Sequence, residues 1–309
     1  MAAIEVENLR RDYGSTRAVD DLSFSVEPGE IFALLGPNGA GKTTTVEIVE
    51  GHRRRTAGRV SVLGHDPESG GRAYRERIGI VLQEAGFDED FSVHELVRHT
   101  RSRYPRQLGA DEVIDLVGLT EKRTARVKTL SGGQRRRLDL ALALVGDPDV
   151  LFLDEPTTGF DPSARRRAWE LVESLRNLGK TVLLTTHYLD EAEHLSDRVG
   201  VVVRGRMVAT GTPAELGASA RSHARVRFRV PDGVGPTTLP DLGVPLTRNG
   251  VEWEAAAADP GEVLYRLTSW AHDAGLHLPD VQVTRPSLED VYLEMVGATN
   301  GAAEPLAVA

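Results

Sequence analysis

Gly36-Pro37-Asn38-Gly39-Ala40-Gly41-Lys42-Thr43-Thr44 follows the apolar run Ile31-Phe32-Ala33-Leu34-Leu35 and leads into a helical pattern from Thr45 to Glu50, stopped by Gly51. The spacing is G-x-x-x-x-G-K-[ST], the pattern of a phosphate-binding loop. Its glycines let the backbone curl with N–H groups pointing inward, where they meet an anion. The helix that starts there adds the positive end of its dipole. In such a loop Lys42 reaches the β- and γ-phosphates as a point charge, and the Thr43 hydroxyl ligates Mg²⁺. A plain glycine-rich turn is the competing reading, but a strand before and a helix after are the context that the motif requires.

The chain around this loop has 309 residues, enough for about two domains. With 40% hydrophobic and 27% charged residues it reads as globular rather than disordered. A net charge of −9 offers no basic face, so no nucleic-acid partner is expected. There is no cysteine, which excludes disulfides and thiolate metal sites. The first residues, Met1 to Glu7, lack the basic and apolar regions of a secretory signal, and no run approaches the length of a membrane span. Any work at a membrane is therefore expected to pass through a partner.

Residues 4–10 and 19–26 alternate as strands, with Tyr13 expected in the loop between them. Tyr13 either stacks on a base or packs as a loop tyrosine. Strands are expected over 58–63 and 78–82, the second ending at Gln83, whose carbonyl oxygen could touch Mg²⁺ or a water. Residues 92–146 read as helical: Ser92-Val93-His94-Glu95 is a capping-box pattern, Asp111 to Val117 a short helix, and Arg135 to Val145 another. Before the last stands Leu130-Ser131-Gly132-Gly133-Gln134, which is either a second anion-binding nest or a simple helix cap by Ser131. The apolar strand Val150 to Leu153 ends in Asp154 and Glu155. Two adjacent acids after a buried strand are costly unless a cation or a function uses them. Asp154 can hold the Mg²⁺ shell, and Glu155 is the candidate base for an attacking water. Asp161-Pro162 opens a helix in cap order, and Trp169, Val172, Leu175 and Leu178 form a helical stripe expected in the core. Strand 181–186 ends at His187, on the edge where parallel sheets bind ligands.

Beyond residue 217 the texture shifts. Gly217-Ala218-Ser219-Ala220 reads as linker, followed by strands at 225–230, 251–254 and 281–283, helices at 261–274 and 287–296, and a small-residue tail from Ala298. This part carries −6 of the net −9.

Each later motif is weak alone, but their order and spacing are not. Phosphate loop, Gln83, Leu-Ser-Gly-Gly-Gln, Asp154-Glu155 and His187 occur in that sequence, and over roughly residues 4–215 the chain resembles the ATP-binding subunits of ABC transporters. Leu130–Gln134 matches that family's signature without a substitution. Asn38 to Thr45, Val62 to Asp66 and Pro286 to Tyr292 bring it closer to the daunorubicin-resistance group of ABC-2 type exporters, while Val46-Glu47-Ile48 and Glu50-Gly51-His52 depart mildly from the usual helix after the loop.

The resemblance implies an α/β fold, a P-loop NTPase of the ABC ATPase type. It would have a mixed sheet core, an N-terminal antiparallel β subdomain and a helical subdomain, with a small α+β C-terminal domain. The expected bounds are 1–217 for the ATP-binding domain (helical part 92–146), 218–224 for a linker, 225–297 for the accessory domain and 298–309 for a disordered tail. It implies that Tyr13 stacks on adenine and that Gly36, Pro37, Asn38, Gly39, Ala40, Gly41, Lys42, Thr43 and Thr44 cradle the phosphates. Thr43, Gln83 and, through water, Asp154 would serve Mg²⁺; Glu155 would be the catalytic base and His187 the γ-phosphate switch. Ser131, Gly132, Gly133 and Gln134 would contact the nucleotide of an opposing subunit, and Asp161 would cross that interface. ATP would thus close a head-to-tail homodimer that drives a separate ABC-2 type integral membrane permease from the cytoplasmic face, exporting a drug, antibiotic or lipid-like compound. The rival is a soluble ABC-type ATPase acting on ribosomes or DNA, which a single motif set, no heptad run and no basic excess argue against. Glu155 and His187 argue against an inactive scaffold.

Overall fold

The computed structural model describes residues 1–81, 86, 88–219, 224–231, 238–278, 280–284 and 292. It divides into two compact units, Met1–Pro213 and Ala214–Ala309.

In the first unit, β1 (Ile4–Tyr13) and β2 (Thr16–Val26) form a hairpin, and β4 (Ala57–Val62) pairs on the other side of β1 to complete a three-stranded antiparallel sheet. The hairpin turns at Gly14, whose φ of +56° suits a residue without a Cβ. Tyr13 is therefore the last residue of β1, not a loop residue. The second sheet has six strands in the order β5 (Ile78–Val81), β6 (Val150–Asp154), β7 (Thr181–Thr186), β3 (Ile31–Leu35), β8 (Arg198–Val203), β9 (Arg206–Gly211). The first five are parallel and β9 runs antiparallel to β8. Every residue of β3, β6 and β7 is buried. This explains their unbroken apolar runs, since parallel strands are covered on both faces. Phe24 of β2 stacks on Phe32 of β3 with ring centroids 5.4 Å apart, joining the two sheets through one core.

Between β3 and β4 lies α1 (Lys42–Val49), and before β5 a short α2 (Gly71–Arg75) that the sequence pattern did not indicate. The helical part holds α3 (Val93–Arg101), α4 (Ala110–Leu116) and α5 (Gly132–Leu144). The capping box expected at Ser92 is present, with Ser92 accepting from the Glu95 N–H and Glu95 accepting from the Ser92 N–H. Then come α6 (Pro162–Asn177) and α7 (Leu189–Leu195). Val172 and Leu175 of α6 are buried as expected, but Leu178 is 47% exposed because it lies one residue past the helix.

In the second unit, β11 (Leu246–Asn249), β12 (Glu252–Ala257), β10 (Ala224–Arg229) and β13 (Val281–Thr284) form an antiparallel sheet in that order. Helix α9 (Pro260–Asp273) covers it through Val263 and Leu267, over Val226, Phe228 and Trp253. Strand β11 lay within and beyond a stretch expected as loop. Gly217 to Ser219, expected as linker, belong to helix α8 (Pro213–Ser219). Leu82, Gln83, the expected helix 287–296 (Tyr292 apart) and the tail from Ala298 lie outside the described residues.

Candidate nucleotide site

The register of the six-stranded sheet assembles the site. Leu35 of β3 lies opposite Thr186 of β7, and Thr185 opposite Asp154 of β6. The carboxyl ends of three adjacent strands therefore deliver the phosphate loop, the two acids and His187 to one edge. That is where open parallel sheets bind ligands.

Gly39 and Gly41 have φ of +79° and +99°, the left-handed turns that curl the loop, and the Thr45 N–H donates to Gly41 O at 2.9 Å as α1 begins. Lys42 is 4% exposed. Its ammonium donates to Gly36 O at 2.8 Å and Pro37 O at 3.2 Å, and stands 3.8 Å from Glu155 Oε1. Burial pulls its pKa down, partly offset by the carboxylates of Glu155 and Asp154. A cleft of about 440 Å³ opens over the loop, lined by Asn38 to Thr44 together with Ala18 and Glu155.

Thr43 Oγ1 lies 3.4 Å from Asp154 Oδ1, a hydroxyl beside a carboxylate. That pair of hard oxygen donors at the loop fits Mg²⁺, which takes few protein ligands and keeps waters. Thr185 holds Asp154 by donating its hydroxyl to Oδ1, and accepts the Glu155 N–H at 3.0 Å. Glu155 adopts φ +47°, uncommon for a residue with a Cβ. This turn aims its side chain across the strand ends, where Thr158 donates to Oε2 at 3.0 Å and His187 Nδ1 lies 3.3 Å from Oε1. Thr158 and Thr185 were not singled out in the sequence. The polar Thr185-Thr186 pair closing an otherwise apolar strand was the available signal.

The remaining candidates sit elsewhere. Ser131 caps α5, accepting from the Gln134 N–H while Gln134 Oε1 accepts from the Ser131 N–H, so the simple cap is realised. Ser131 and Gly132 remain exposed, leaving the nest's outer face open. Gly133 and Gln134 line a different cleft of about 360 Å³ with Pro156 and Phe160. Asp161 caps α6, accepting from the N–H groups of Ser163 and Ala164 at 2.9 Å each. Those bonds hold its carboxyl below the usual aspartate range. Tyr13 is 36% exposed, with the guanidinium carbons of Arg11 and Arg53 4.5 and 5.4 Å from its ring centroid. Gln83 lies outside the described residues. Arg136 of α5, missed in the sequence, donates to Asp154 O at 3.2 Å and Pro156 O at 3.3 Å, tying the helix after the nest to the acidic turn.

A family profile described as "ABC transporter" matches residues 19–158, and one described as "ABC transporter domain-containing protein-like, C-terminal domain" matches 224–287. The chain is 40% identical over 304 residues to "Daunorubicin resistance ATP-binding protein DrrA3" of Streptomyces coeruleorubidus, covering 96% of each chain. It is 42% identical over 306 residues to "Nod factor export ATP-binding protein I" of Paraburkholderia xenovorans, covering 96% of this chain and 97% of that one. The chain belongs to the ATP-binding subunits of ABC transporters. A solved "ATP binding subunit of ABC transporter" aligns with a TM-score of 0.63 at 26% identity, over 70% of this chain and 92% of the other. The subunit cbiO1 from Clostridium perfringens aligns with a TM-score of 0.63 at 30% identity, over 71% and 91%. The expected P-loop ABC ATPase fold is therefore confirmed. As an ABC ATPase the subunit binds and hydrolyses ATP and works with a membrane permease. Among the described residues no helix is long and apolar enough to cross a membrane, as befits a peripheral subunit.

Proposed function

We infer that this ABC ATPase is the motor of an exporter for a drug, antibiotic or lipid-like compound, and that it acts at the cytoplasmic face on an ABC-2 type permease. The observation that carries the site assignment is the convergence of Lys42, Thr43, Asp154, Glu155 and His187 at one sheet edge. The names of its relatives, drug-resistance and Nod-factor export proteins, support the cargo class.

In this reading Asn38 to Thr44 cradle the β- and γ-phosphates with their N–H groups, and Lys42 turns from the Gly36 and Pro37 carbonyls to the phosphate oxygens. Thr43 and Asp154, with Gln83, hold Mg²⁺, which when bound neutralises phosphate charge. A water attacks the γ-phosphorus in line, its proton passes to Glu155, and the bond from the γ-phosphorus to the bridging oxygen breaks to release ADP. His187, beside Glu155, contacts the γ-phosphate. Tyr13 offers its ring to adenine. Ser131, Gly132, Gly133 and Gln134 complete the site of a second copy, with Asp161 at the contact. Two chains then close on two ATP molecules and part on hydrolysis.

The test is recovery of the tagged chain from a membrane extract of its host, with ATP turnover assayed on the same sample. Recovery with a polytopic membrane protein and turnover supports the motor. Turnover with ribosomal or DNA-bound partners alone overturns it.

A further inference from the structure

A cavity of about 310 Å³ shares no lining residue with the phosphate cleft. Glu50, the residue that ends α1, and Asp139 of α5 both face it, together with Tyr74, Tyr104 and Leu142. Glu50 is 4% exposed and Asp139 9%. One Glu50 carboxylate oxygen lies 3.2 Å from Nδ1 of the exposed His52; the other has no hydrogen-bond partner among the described residues. Asp139 pairs with Arg136 at 3.5 Å, a guanidinium that also serves the Asp154 and Pro156 carbonyls. Burial pushes the Glu50 carboxyl up to about 8, with the charges of Asp154 and Glu47 adding to it. Burial takes Asp139 to about 6 against the pull of Arg136.

Two buried carboxylates with so little internal compensation, on the wall of a cavity that can be reached from outside, suit one incoming cation. A divalent metal fits poorly: no group of three His, Cys, Asp or Glu could hold one among the described residues. The two tyrosines and the aliphatic Leu142 suit instead a cation on an alkyl stem. Cytoplasmic loops of membrane proteins are enriched in Lys and Arg, which gives the permease the complementary charge.

We propose that this cavity receives an arginine or lysine side chain from a cytoplasmic loop of the permease, clamped between Glu50 and Asp139. The inference rests on the reading above that the chain drives a separate permease. It gives the contact a route to ATP. Helix α1 begins in the phosphate loop and runs about 12 Å to Glu50, while α5 begins at the Ser131 nest and carries Asp139. A cation held by both acids ties the helix of the phosphate loop to the helix of the nest.

The full chain is titrated calorimetrically with n-butylguanidinium and with the neutral n-butylurea. The wild type, Glu50→Gln/Asp139→Asn and Leu142→Trp, which fills the cavity, are compared in that titration, in affinity for a fluorescent ATP analogue, and in recovery from host membranes. The expected result is saturable binding of butylguanidinium, at least tenfold tighter than butylurea and lost in both variants. Permease recovery should fall at least tenfold in both variants while ATP affinity stays within threefold. Permease recovery equal to wild type in the variants overturns the inference and leaves the motor reading intact. If butylguanidinium binding alone depends on the two acids, the occupant is a free organic cation and the permease contact is wrong. If the wild type itself recovers no polytopic membrane protein, the motor reading fails, and with it the proposed occupant.

Discussion

His187 Nδ1 stands 3.3 Å from Glu155 Oε1, the same oxygen that lies 3.8 Å from the Lys42 ammonium. Three side chains that follow three different strands thus meet at one carboxylate oxygen. A base with one oxygen between a cation and an imidazole, and the other bound by Thr158, has a fixed aim. Fixed aim is what proton removal from an attacking water requires.

Glu155→Gln keeps the shape and removes the base. Turnover measured by phosphate release should fall by about 100-fold or more. Affinity for ATP should hold, and light scattering should find a dimer that persists in ATP. Loss of ATP binding instead would move Glu155 from chemistry to structure.

Two glycines of the same loop should respond differently to alanine. A Cβ at Gly41 would sit 2.3 Å from Ala18 O, at φ +99°, whereas a Cβ at Gly39, at φ +79°, meets nothing within 4 Å. Gly39→Ala should cost about 1 kcal/mol from its backbone conformation alone. Gly41→Ala should cost roughly 3 kcal/mol or more, because backbone must move as well. Thermal unfolding of the two variants compares them directly.

Asp161 spends its carboxylate on the first turn of α6. Asp161→Ala should lose about 1 kcal/mol of stability, and Asp161→Asn, which can still cap, much less. If Asp161 also serves the contact between two copies, the Asn variant should keep its melting temperature and lose ATP-dependent dimerisation.

Glu50 makes stability depend on pH. An acid near 8 when folded and 4.5 when unfolded binds more protons in the folded state between those values. Stability must therefore fall as pH rises from about 4.5 to about 8, by on the order of 3 kcal/mol from this group. Glu50→Gln should flatten that slope and be the more stable protein at pH 8. Urea unfolding at pH 5.5 and pH 8 decides it, and an unchanged slope would mean that Glu50 is charged and compensated in the folded chain.

The apolar runs of β3, β6 and β7, the loop spacing at Gly36 to Thr44, and the caps at Ser92, Ser131 and Asp161 could all be read from the sequence, because each is set by residues a few positions apart. Helix α2 and strand β11 could not: α2 has five residues and β11 four, too short to establish a period. Leu178 carries the apolar stripe of α6 one residue beyond the helix, and only the end of that helix leaves it exposed. Thr185 had no visible role until parallel pairing set it opposite Asp154. The sequence by itself determined that the chain is an ABC-type P-loop protein, since that signal lies in local spacing. Only the tertiary structure decided that Glu155 shares one oxygen between Lys42 and His187, and that Glu50 and Asp139 face one cavity. Those relations join residues about 30 to 110 positions apart, and sheet register and helix packing, which spacing along the chain does not encode, bring them together.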